Sequence, residues 1–351
     1  MRLLTPRAST TPPTVTVVVP CYKYGSYLAH VVATTLDQPG VAVDIIIVDD
    51  ASPDGSGAVA HQLAEAHAAV TVLEHRQNLG HIQTYNDGLA RATGKYVVLL
   101  SADDLLAPGS LARATALMEH DPSVGFVYGY SPDFQEQPPP PRHRYYTWST
   151  WSGQEWIGRL CRRGSNVVSN PEVVMRRSVM DELEGYDPRF PHTADLLVWL
   201  RAATRGRVGR VNGPDQGYYR VHGANMHLTE FSSIHTDLHE RARTFEAFLS
   251  EGLADHPRQP ELKDVVRRAL ATEAVRWAIW TSELGPGGTD VQEYRAAALD
   301  LWPAITNTSI WHRYQRSGLA GGPGRLERLH FQVDWELRHK LRWRRWRRFG
   351  T

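Results

Sequence analysis

The feature that most constrains the fold is an alternation of short apolar segments and amphipathic helical patterns through residues 14–129. Near-continuous apolar runs predict buried strands at 14–19, 43–48, 69–73, 96–100 and 124–129. Helical spacing of apolar residues predicts helices after Ser26 and over 57–68, 79–93 and 109–120, with Gly94 ending the third. Because strands that alternate with helices form a parallel sheet covered on both faces, the sequence predicts a doubly wound α/β fold.

The rest of the chain differs from this region in composition. Residues 1–13 are rich in Pro, Ser and Thr and are predicted to be a flexible lead-in. Residues 14–130 are predicted to form the α/β domain, and 131–228 a mixed region that begins near the prolines at 138–141 and is rich in Trp and Tyr. Residues 229–351 have a mainly helical pattern and are predicted to be a helical C-terminal extension.

Composition excludes several classes of function. With 39 Lys and Arg against 38 Asp and Glu, the chain has no global charge for binding a polyanion, so no nucleic-acid partner is predicted. Its 2 cysteines are far apart, which indicates neither a disulfide framework nor a zinc site. No apolar segment is long enough for a signal peptide or a membrane span. We therefore expect a cytoplasmic protein, and its composition is typical of a high-GC bacterial genome.

Polar residues follow three of the predicted strands. They are Pro20 and Tyr22 after the first, Asp49 and Asp50 after the second, and Asp103 and Asp104 after the fourth. In a doubly wound sheet, ligands bind outside the carboxyl ends of the strands. Two acidic pairs on one rim repel each other unless a cation or a donor lies between them. The pattern predicts Mg²⁺ or Mn²⁺ bound to a diphosphate, and the alternative for either pair alone is a helix cap or a turn.

Four segments, in the order in which they occur, resemble the inverting family-two glycosyltransferases of the A-type, Rossmann-like fold. They are TVVVPCYKYGSYL, IIIVDDASPDGS, NLGHIQTYNDGLARATGKYVVLLSADD and GYYRVHGANM. The likeness covers residues 14–228. It implies a mostly parallel sheet that binds a nucleotide-diphosphate sugar in 14–130, and an acceptor-binding and catalytic-base region in 131–228.

The resemblance also implies roles for individual residues in donor binding. Tyr22 is expected to stack on the nucleotide base, and Asp50, with Asp49 beside it, to hydrogen-bond the base. Pro20 and Asn78 belong to the same motifs and are assigned to donor binding with them. A uridine nucleotide is the common donor in the family, and thymidine and guanosine nucleotides remain open.

The family's Asp-x-Asp metal motif is altered in this chain. The matching tripeptide is Ser101-Ala102-Asp103, so a serine stands where the family has its first aspartate. Asp103 and Asp104 are therefore expected to share the metal, with Asp103 also contacting the donor. His222 matches a family position that reaches the metal or the diphosphate, and its alternative is a structural histidine. Arg220 is expected to offset phosphate charge.

Asp195 matches the catalytic base of the family, in the segment PHTADLLVWLRAATRG. Ala194 stands where the family usually has a glutamate. The chemistry needs one carboxylate to accept the proton of an acceptor hydroxyl while that oxygen attacks the anomeric carbon. A structural alternative, compatible with this role, is an acidic residue in the first turn of a helix capped by Thr193.

The acceptor is expected to be a saccharide, a polyol or a natural product. Four tryptophans, which could stack on sugar rings or pack in the core, are candidates for the acceptor cleft: Trp148, Trp151, Trp156 and Trp199. The tail ELRHKLRWRRWRRFGT is basic and predicts peripheral contact with an anionic membrane or an acidic partner, with a solvated terminal helix as the alternative.

Three other functions are weighed against glycosyl transfer. GSGAVA at 55–60 loosely fits a nicotinamide-binding loop but does not follow its strand directly. The segment IIIVDDAS resembles the acidic pocket of a phosphoacceptor receiver domain, although there the acidic pair follows the first strand. A binding-only relative that has lost turnover remains open because Ser101 and Ala194 depart from the family pattern.

Overall fold

The computed structural model describes residues 1–5, 12–144, 147–225, 234–283, 290–317 and seven residues between 333 and 350. The chain divides into two compact units. The first comprises Met1–Ile157, Val167–Asn225 and Arg348–Gly350. The second comprises Gly158–Asn166, Met226–Arg347 and Thr351.

The first unit contains the predicted α/β region and the strands that extend its sheet. The strands are β1 (Arg2–Leu4), β2 (Thr14–Cys21), β3 (Ala42–Asp49), β4 (Val70–Glu74), β5 (Tyr96–Leu99), β6 (Leu105–Leu106), β7 (Val124–Tyr128), β8 (Asp133–Phe134), β9 (Thr147–Trp151), β10 (Val174–Arg176), β11 (Arg207–Asn212) and β12 (Gly217–Arg220). The helices are α1 (Gly25–Leu36), α2 (Ser56–Ala66), α3 (His81–Leu89), α4 (Ser110–His120), α5 (Gly153–Arg163, which continues into the second unit), α6 (Arg177–Leu183) and α7 (Ala194–Arg205), with a 3₁₀ turn at Asn170–Glu172.

The nine-stranded sheet confirms the predicted α/β fold. Its order is β1-β9-β11-β7-β10-β5-β2-β3-β4, and β5, β2, β3 and β4 are parallel. The five predicted strands correspond to β2, β3, β4, β5 and β7. Val15, Val17 and Val19 of β2 are fully buried, as expected for a strand covered on both faces. The first α/β strand, β2, lies between the second and the fourth, which creates a ligand-binding crevice at their carboxyl ends.

A separate sheet of three short strands has the order β6-β12-β8. Strands β6 and β12 are antiparallel, and Leu105 lies opposite Tyr218. The residues before β6 are therefore next to the residues after β12. This register brings Asp103 close to His222, although 119 residues separate them in the chain.

Several local predictions differ from the structure. Helix α1 begins at Gly25 and has Tyr24, not Ser26, at its N-cap. Helix α3 ends at Leu89, and Gly94 instead passes close to β2, because a Cβ there would lie 2.6 Å from the Thr16 nitrogen. The expected flexible lead-in contains strand β1, which pairs with β9, while residues 6–11 lie outside the described residues.

The four tryptophans that could line the acceptor cleft or pack in the core belong to the core. Trp148, Trp151 and Trp156 are completely buried, and Trp199 is 2% exposed. Trp199 stacks on Phe126 with 5.7 Å between ring centroids. Their contacts are those of packed aromatic residues.

The second unit is helical, as predicted. Its helices are α8 (Ile234–Ala247), α9 (Gln259–Glu283), α10 (Asp290–Leu301) and α11 (Ser309–Ser317), with a π-helical turn at Phe248–Gly252 and a 3₁₀ turn at Pro303–Asn307. The buried guanidinium of Arg241 is satisfied by Asp237, Glu273 and the Gly164 carbonyl. Most of the basic tail lies outside the described residues. Within the described part of the chain, every helix is too short or too polar to cross a bilayer.

Candidate active site

Asp50, the residue after β3, is hydrogen-bonded to the loop that joins β4 to α3. Its Oδ1 accepts the N–H of Leu79 at 2.8 Å and lies 2.8 Å from His75 Nδ1, and its Oδ2 accepts the N–H of Gly80 at 2.9 Å. The side-chain amide of Asn78 approaches the Asp50 carbonyl at 3.4 Å. Burial alone would raise the pKa of Asp50, but these hydrogen bonds outweigh it and lower the pKa below its ordinary value. Asp50 is therefore held as a carboxylate.

Two exposed apolar side chains flank Asp50. Tyr22 is 39% exposed and Leu79 is 43% exposed. Tyr22 is adjacent because the backbone N–H of Asp50 donates to the Cys21 carbonyl at 2.9 Å. A flat aromatic ligand such as a nucleotide base would cover these apolar surfaces while its edge faces the carboxylate.

The loops after β2 and β3 have unusual backbone conformations. Lys23 has a φ of 64° and Ala51 a φ of 55°, values that residues other than glycine rarely adopt. The Lys23 N–H donates to Ser52 Oγ at 3.0 Å, so each loop supports the other. Strain of this kind is concentrated at ligand sites, which agrees with a site at this end of the sheet.

Asp49 and Pro20 lie on the same rim, and their contacts are with the protein backbone. Asp49 is buried, and its Oδ2 accepts the N–H of Ser52 at 3.1 Å, as in a turn-forming aspartate. Pro20 pairs with Val48 on one side only, because the pairing of β2 with β5 ends at Val18. A proline is tolerated there since its missing N–H is not needed for the ladder.

Asp103 and His222 form the polar pair that the small sheet assembles. Asp103 Oδ2 lies 3.0 Å from His222 Nε2 and 3.4 Å from Asn225 Nδ2. The rings of Tyr24 and Tyr27 hold the imidazole, with centroid distances of 5.6 and 5.8 Å. Sequence reasoning missed these two tyrosines, although both lie in the KYGSYL segment that follows β2.

Arg220 fixes the turn that carries Asp103. Its Nε donates to the Asp103 carbonyl at 2.8 Å and its Nη1 to the Gln135 carbonyl at 2.8 Å. The guanidinium lies over the rings of Tyr27 and Phe134, at 4.7 and 4.3 Å from their centroids. The side chain expected to offset phosphate charge is thus committed to the protein backbone and to two aromatic rings.

Asp104 is directed to β12 and not to the Asp103–His222 pair. Its Oδ1 accepts the backbone N–H of Arg220 at 2.8 Å, and its carboxyl is 1% exposed. Burial and then the neighbouring Asp103 raise the pKa of Asp104 well above its usual value. Among the described residues no three His, Cys, Asp or Glu side chains are grouped to hold a metal ion. Of the three expected ligands, Asp103 and His222 are in contact with each other, and Asp104 is bonded to the backbone of β12.

The Asp103–His222 pair nevertheless fits a divalent cation. It combines a carboxylate oxygen and an imidazole nitrogen 3.0 Å apart, at the carboxyl end of β5. Mg²⁺ and Mn²⁺ sites commonly use one or two protein ligands and complete their coordination with substrate phosphates and water. A donor diphosphate would supply the remaining oxygens.

Asp195 lies in the first turn of α7, one residue after Ala194. Thr193 occupies the N-cap position as predicted, but its side chain makes no capping hydrogen bond. Burial raises the pKa of Asp195 to about 6, with partial compensation from the side chains of Asn170 and Tyr186. Within the described part of the chain, Asp195 Oδ1 is buried and has no hydrogen-bond partner, so one oxygen is available to a proton donor.

The charges of Asp195 and Asp103 act on the same two tyrosines, Tyr85 and Tyr219. Burial, followed by Asp195, Asp103 and Asp104, raises the pKa of the Tyr85 hydroxyl. The same carboxylates raise the pKa of Tyr219 after burial. Asp103 and Asp195 are therefore both within electrostatic range of each phenol. The ring of Tyr85 packs edge-on against Tyr186, with 5.3 Å between the ring centroids.

Neither of two cavities in the first unit contains the predicted aspartates. A cavity of about 320 Å³ lies against β6 and the proline run 138–141, and its lining includes His30 and Tyr218. A much smaller one lies beneath Asn170 and Tyr186. The site residues instead lie along the ends of β2, β3 and β5 and at the start of α7.

The chain resembles known glycosyltransferases in sequence and in fold. Residues 16–183 match the model of the family described as Glycosyl transferase family 2. An uncharacterized glycosyltransferase of Nostoc sp. is 27% identical over 222 residues, which are 62% of this chain and 68% of the relative.

Two solved structures share the fold. Staphylococcus aureus TarS (residues 1–349) in complex with UDP-GlcNAc matches with a TM-score of 0.60 at 15% identity, over 89% of this chain and 93% of that one. The mannosyltransferase PcManGT of Pyrobaculum calidifontis, in complex with GDP-Man and Mn²⁺, matches with a TM-score of 0.55 at 20% identity, over 89% and 85%. The likeness confirms the A-type glycosyltransferase fold.

The topology and this family match also exclude the receiver-domain alternative. The four parallel strands lie in the order β4-β3-β2-β5, which is 3-2-1-4 when β2 is counted as the first strand. Receiver domains have the order 2-1-3-4-5.

Proposed function

We propose that the chain is a glycosyltransferase that transfers a sugar with inversion from a nucleotide-diphosphate sugar to an acceptor hydroxyl, assisted by Mg²⁺ or Mn²⁺. The match of residues 16–183 to the model of Glycosyl transferase family 2 supports this proposal. The observation that carries this proposal is that Asp195, a partly buried residue with one buried and unpartnered carboxylate oxygen, acts electrostatically on the same tyrosines as Asp103. The sugar donors named for TarS and PcManGT support a nucleotide-sugar donor here.

Donor binding is assigned to the ends of β2 and β3 and to the loop before α3. Tyr22 and Leu79 cover the faces of the base, and Asp50 accepts a hydrogen bond from its edge. Asn78 lies beside Asp50 and is placed to contact the same edge. Asp103 and His222 would hold the cation. When bound, the cation supplies positive charge that stabilises the leaving diphosphate.

Asp195 acts as the general base. Its carboxylate accepts the proton of the acceptor hydroxyl while the hydroxyl oxygen forms a bond to the anomeric carbon. The bond from that carbon to the donor phosphate oxygen breaks on the opposite face, and its electron pair leaves with the nucleoside diphosphate. With a pKa of about 6, Asp195 is mostly ionised at neutral pH and still basic enough to take a proton.

The acceptor belongs to the class of saccharides, polyols or natural products. We also propose that the protein acts in the cytoplasm and that its basic tail, ELRHKLRWRRWRRFGT, brings it to an anionic membrane surface.

The proposal is tested by separating donor binding from transfer. Thermal shift with nucleoside diphosphates and Mn²⁺ should show stabilisation by a bound nucleotide. An Asp195→Asn variant should keep that stabilisation and lose transfer by about 10²-fold or more, the usual contribution of a general base. Wild-type protein that binds donor without turning it over would instead identify a binding-only relative.

A further inference from the structure

The hydrogen bonds that Asp50 already accepts limit how many N–H groups of a nucleotide base its carboxylate can bind. A carboxylate has roughly four lone-pair positions, two on each oxygen. Leu79 N–H and His75 Nδ1 occupy the two on Oδ1, and Gly80 N–H occupies one on Oδ2. Three of roughly four acceptor positions are therefore filled, and one position on Oδ2 remains for a ligand.

His75 is the one side chain among these three donors, and it is buried between two carboxylates. Its Nδ1 is hydrogen-bonded to Asp50 Oδ1 at 2.8 Å. Its Nε2 lies 3.1 Å from Asp87 Oδ2 of α3 without a hydrogen bond. The imidazole is 7% exposed, so its bond from Nδ1 is shielded from water and Oδ1 of Asp50 stays occupied while a donor nucleotide binds.

Nucleotide bases differ in how many adjacent N–H groups they present to a carboxylate. Uracil and thymine present one, the ring N–H between two carbonyls. Guanine presents two, the ring N–H and the amino group beside it. A carboxylate pairs with both only when each of its oxygens can accept. Because Oδ1 of Asp50 is filled, guanine would leave one donor buried without a partner, which is unfavourable.

We infer that His75 is a specificity-determining residue that restricts Asp50 to one free acceptor position, so that the site takes a uracil or thymine nucleotide and discriminates against guanine. This inference rests on the proposed donor site. It concerns which base is bound, not whether a sugar nucleotide is bound.

Inosine diphosphate provides a direct probe, because hypoxanthine is guanine without the amino group. Isothermal titration of the full chain with Mn²⁺ should give UDP and dTDP affinities at least about tenfold tighter than that of GDP, the discrimination expected of one unpaired polar group. IDP should bind about tenfold tighter than GDP, since it has the purine size and a single N–H.

The matched variants are His75→Ala and His61→Ala. Removal of His75 frees the second position on Oδ1, so the ratio of IDP to GDP affinity should fall towards one. His61 is exposed and paired with the exposed Glu74 at 3.1 Å, so its removal should leave the ratio unchanged.

Each other result has a definite meaning. GDP binding as tightly as UDP overturns the inference and leaves the proposed function intact. Equal, weak binding of IDP and GDP also overturns it, because ring size would then set the preference. No binding of any of the four nucleotides with Mn²⁺ removes the proposed function together with the inference. If His75→Ala does not fold, the wild-type ranking of the four nucleotides decides alone.

Discussion

Replacing Asp195 by asparagine should stabilise the protein while it abolishes transfer. Burial raises the pKa of Asp195 from the ordinary 3.8 to about 6. A carboxyl whose folded pKa lies above its unfolded pKa binds its proton more tightly in the folded state. Its ionisation therefore opposes folding as the pH rises between these two values. A pKa difference of about 2 between the folded and unfolded states lowers the free energy of unfolding by about 3 kcal/mol at pH 7 and above.

The measurement compares the free energies of unfolding of wild type and Asp195→Asn between pH 4 and pH 8. The variant should be more stable by up to about 3 kcal/mol at pH 8, and the difference should shrink as the pH falls from 6 to 4. The stabilisation reflects a carboxylate kept charged in a buried position for function.

Asp187 gives a control of opposite sign. Hydrogen bonding to Arg189 is the main cause that lowers the pKa of Asp187 to about 2. Its ionised form therefore stabilises the folded protein above the unfolded pKa, and Asp187→Asn should lower stability at pH 8. If Asp195→Asn also loses stability, by about 1 kcal/mol as expected for a lost helix-terminus charge, then Asp195 is only a favourable residue at the start of α7 and the burial argument is wrong.

Two further predictions concern the supports of the site. Arg220→Lys should weaken Mn²⁺-dependent nucleotide binding about tenfold, because a lysine cannot donate to the Asp103 and Gln135 carbonyls at the same time. Titration of Mn²⁺ at a fixed nucleotide concentration measures this effect. An unchanged Mn²⁺ affinity would refute the role of Arg220 in positioning Asp103. Gly94→Ala should destabilise the first unit by more than about 1 kcal/mol in urea unfolding, because the added Cβ would lie 2.6 Å from the Thr16 backbone nitrogen. Gly223→Ala is the control, and it should be nearly neutral because the space around its Cβ is open.

The strands of the sheet were predictable because burial on both faces leaves a direct record in the sequence. Val15 to Val19 and Ile45 to Val48 are nearly continuous apolar runs, and each is a strand. The same reasoning placed Asp50 and Asp103 at strand ends. It could not show where their oxygens point, because that depends on partners such as the Leu79 backbone N–H at Asp50 and the Asn225 side-chain amide at Asp103.

The pairing of Asp103 with His222 came from the family resemblance and not from physical reasoning on the sequence. It requires the antiparallel register of β6 and β12, two strands of 2 and 4 residues that carry almost no signal of their own. His75 was missed for a related reason. A single histidine in a polar loop has no periodicity, and only the fold shows that carboxylates from β3 and α3 bracket it.

The alanine at 194, where the family usually has a glutamate, bears on the protonation of the proposed base, Asp195. Ala194 is 4% exposed, so a glutamate there would place a second carboxylate in the same turn as Asp195. Two like charges close together raise the pKa of at least one of them. Burial by itself already raises the pKa of Asp195 to about 6. The alanine therefore spares the proposed base a further increase in pKa.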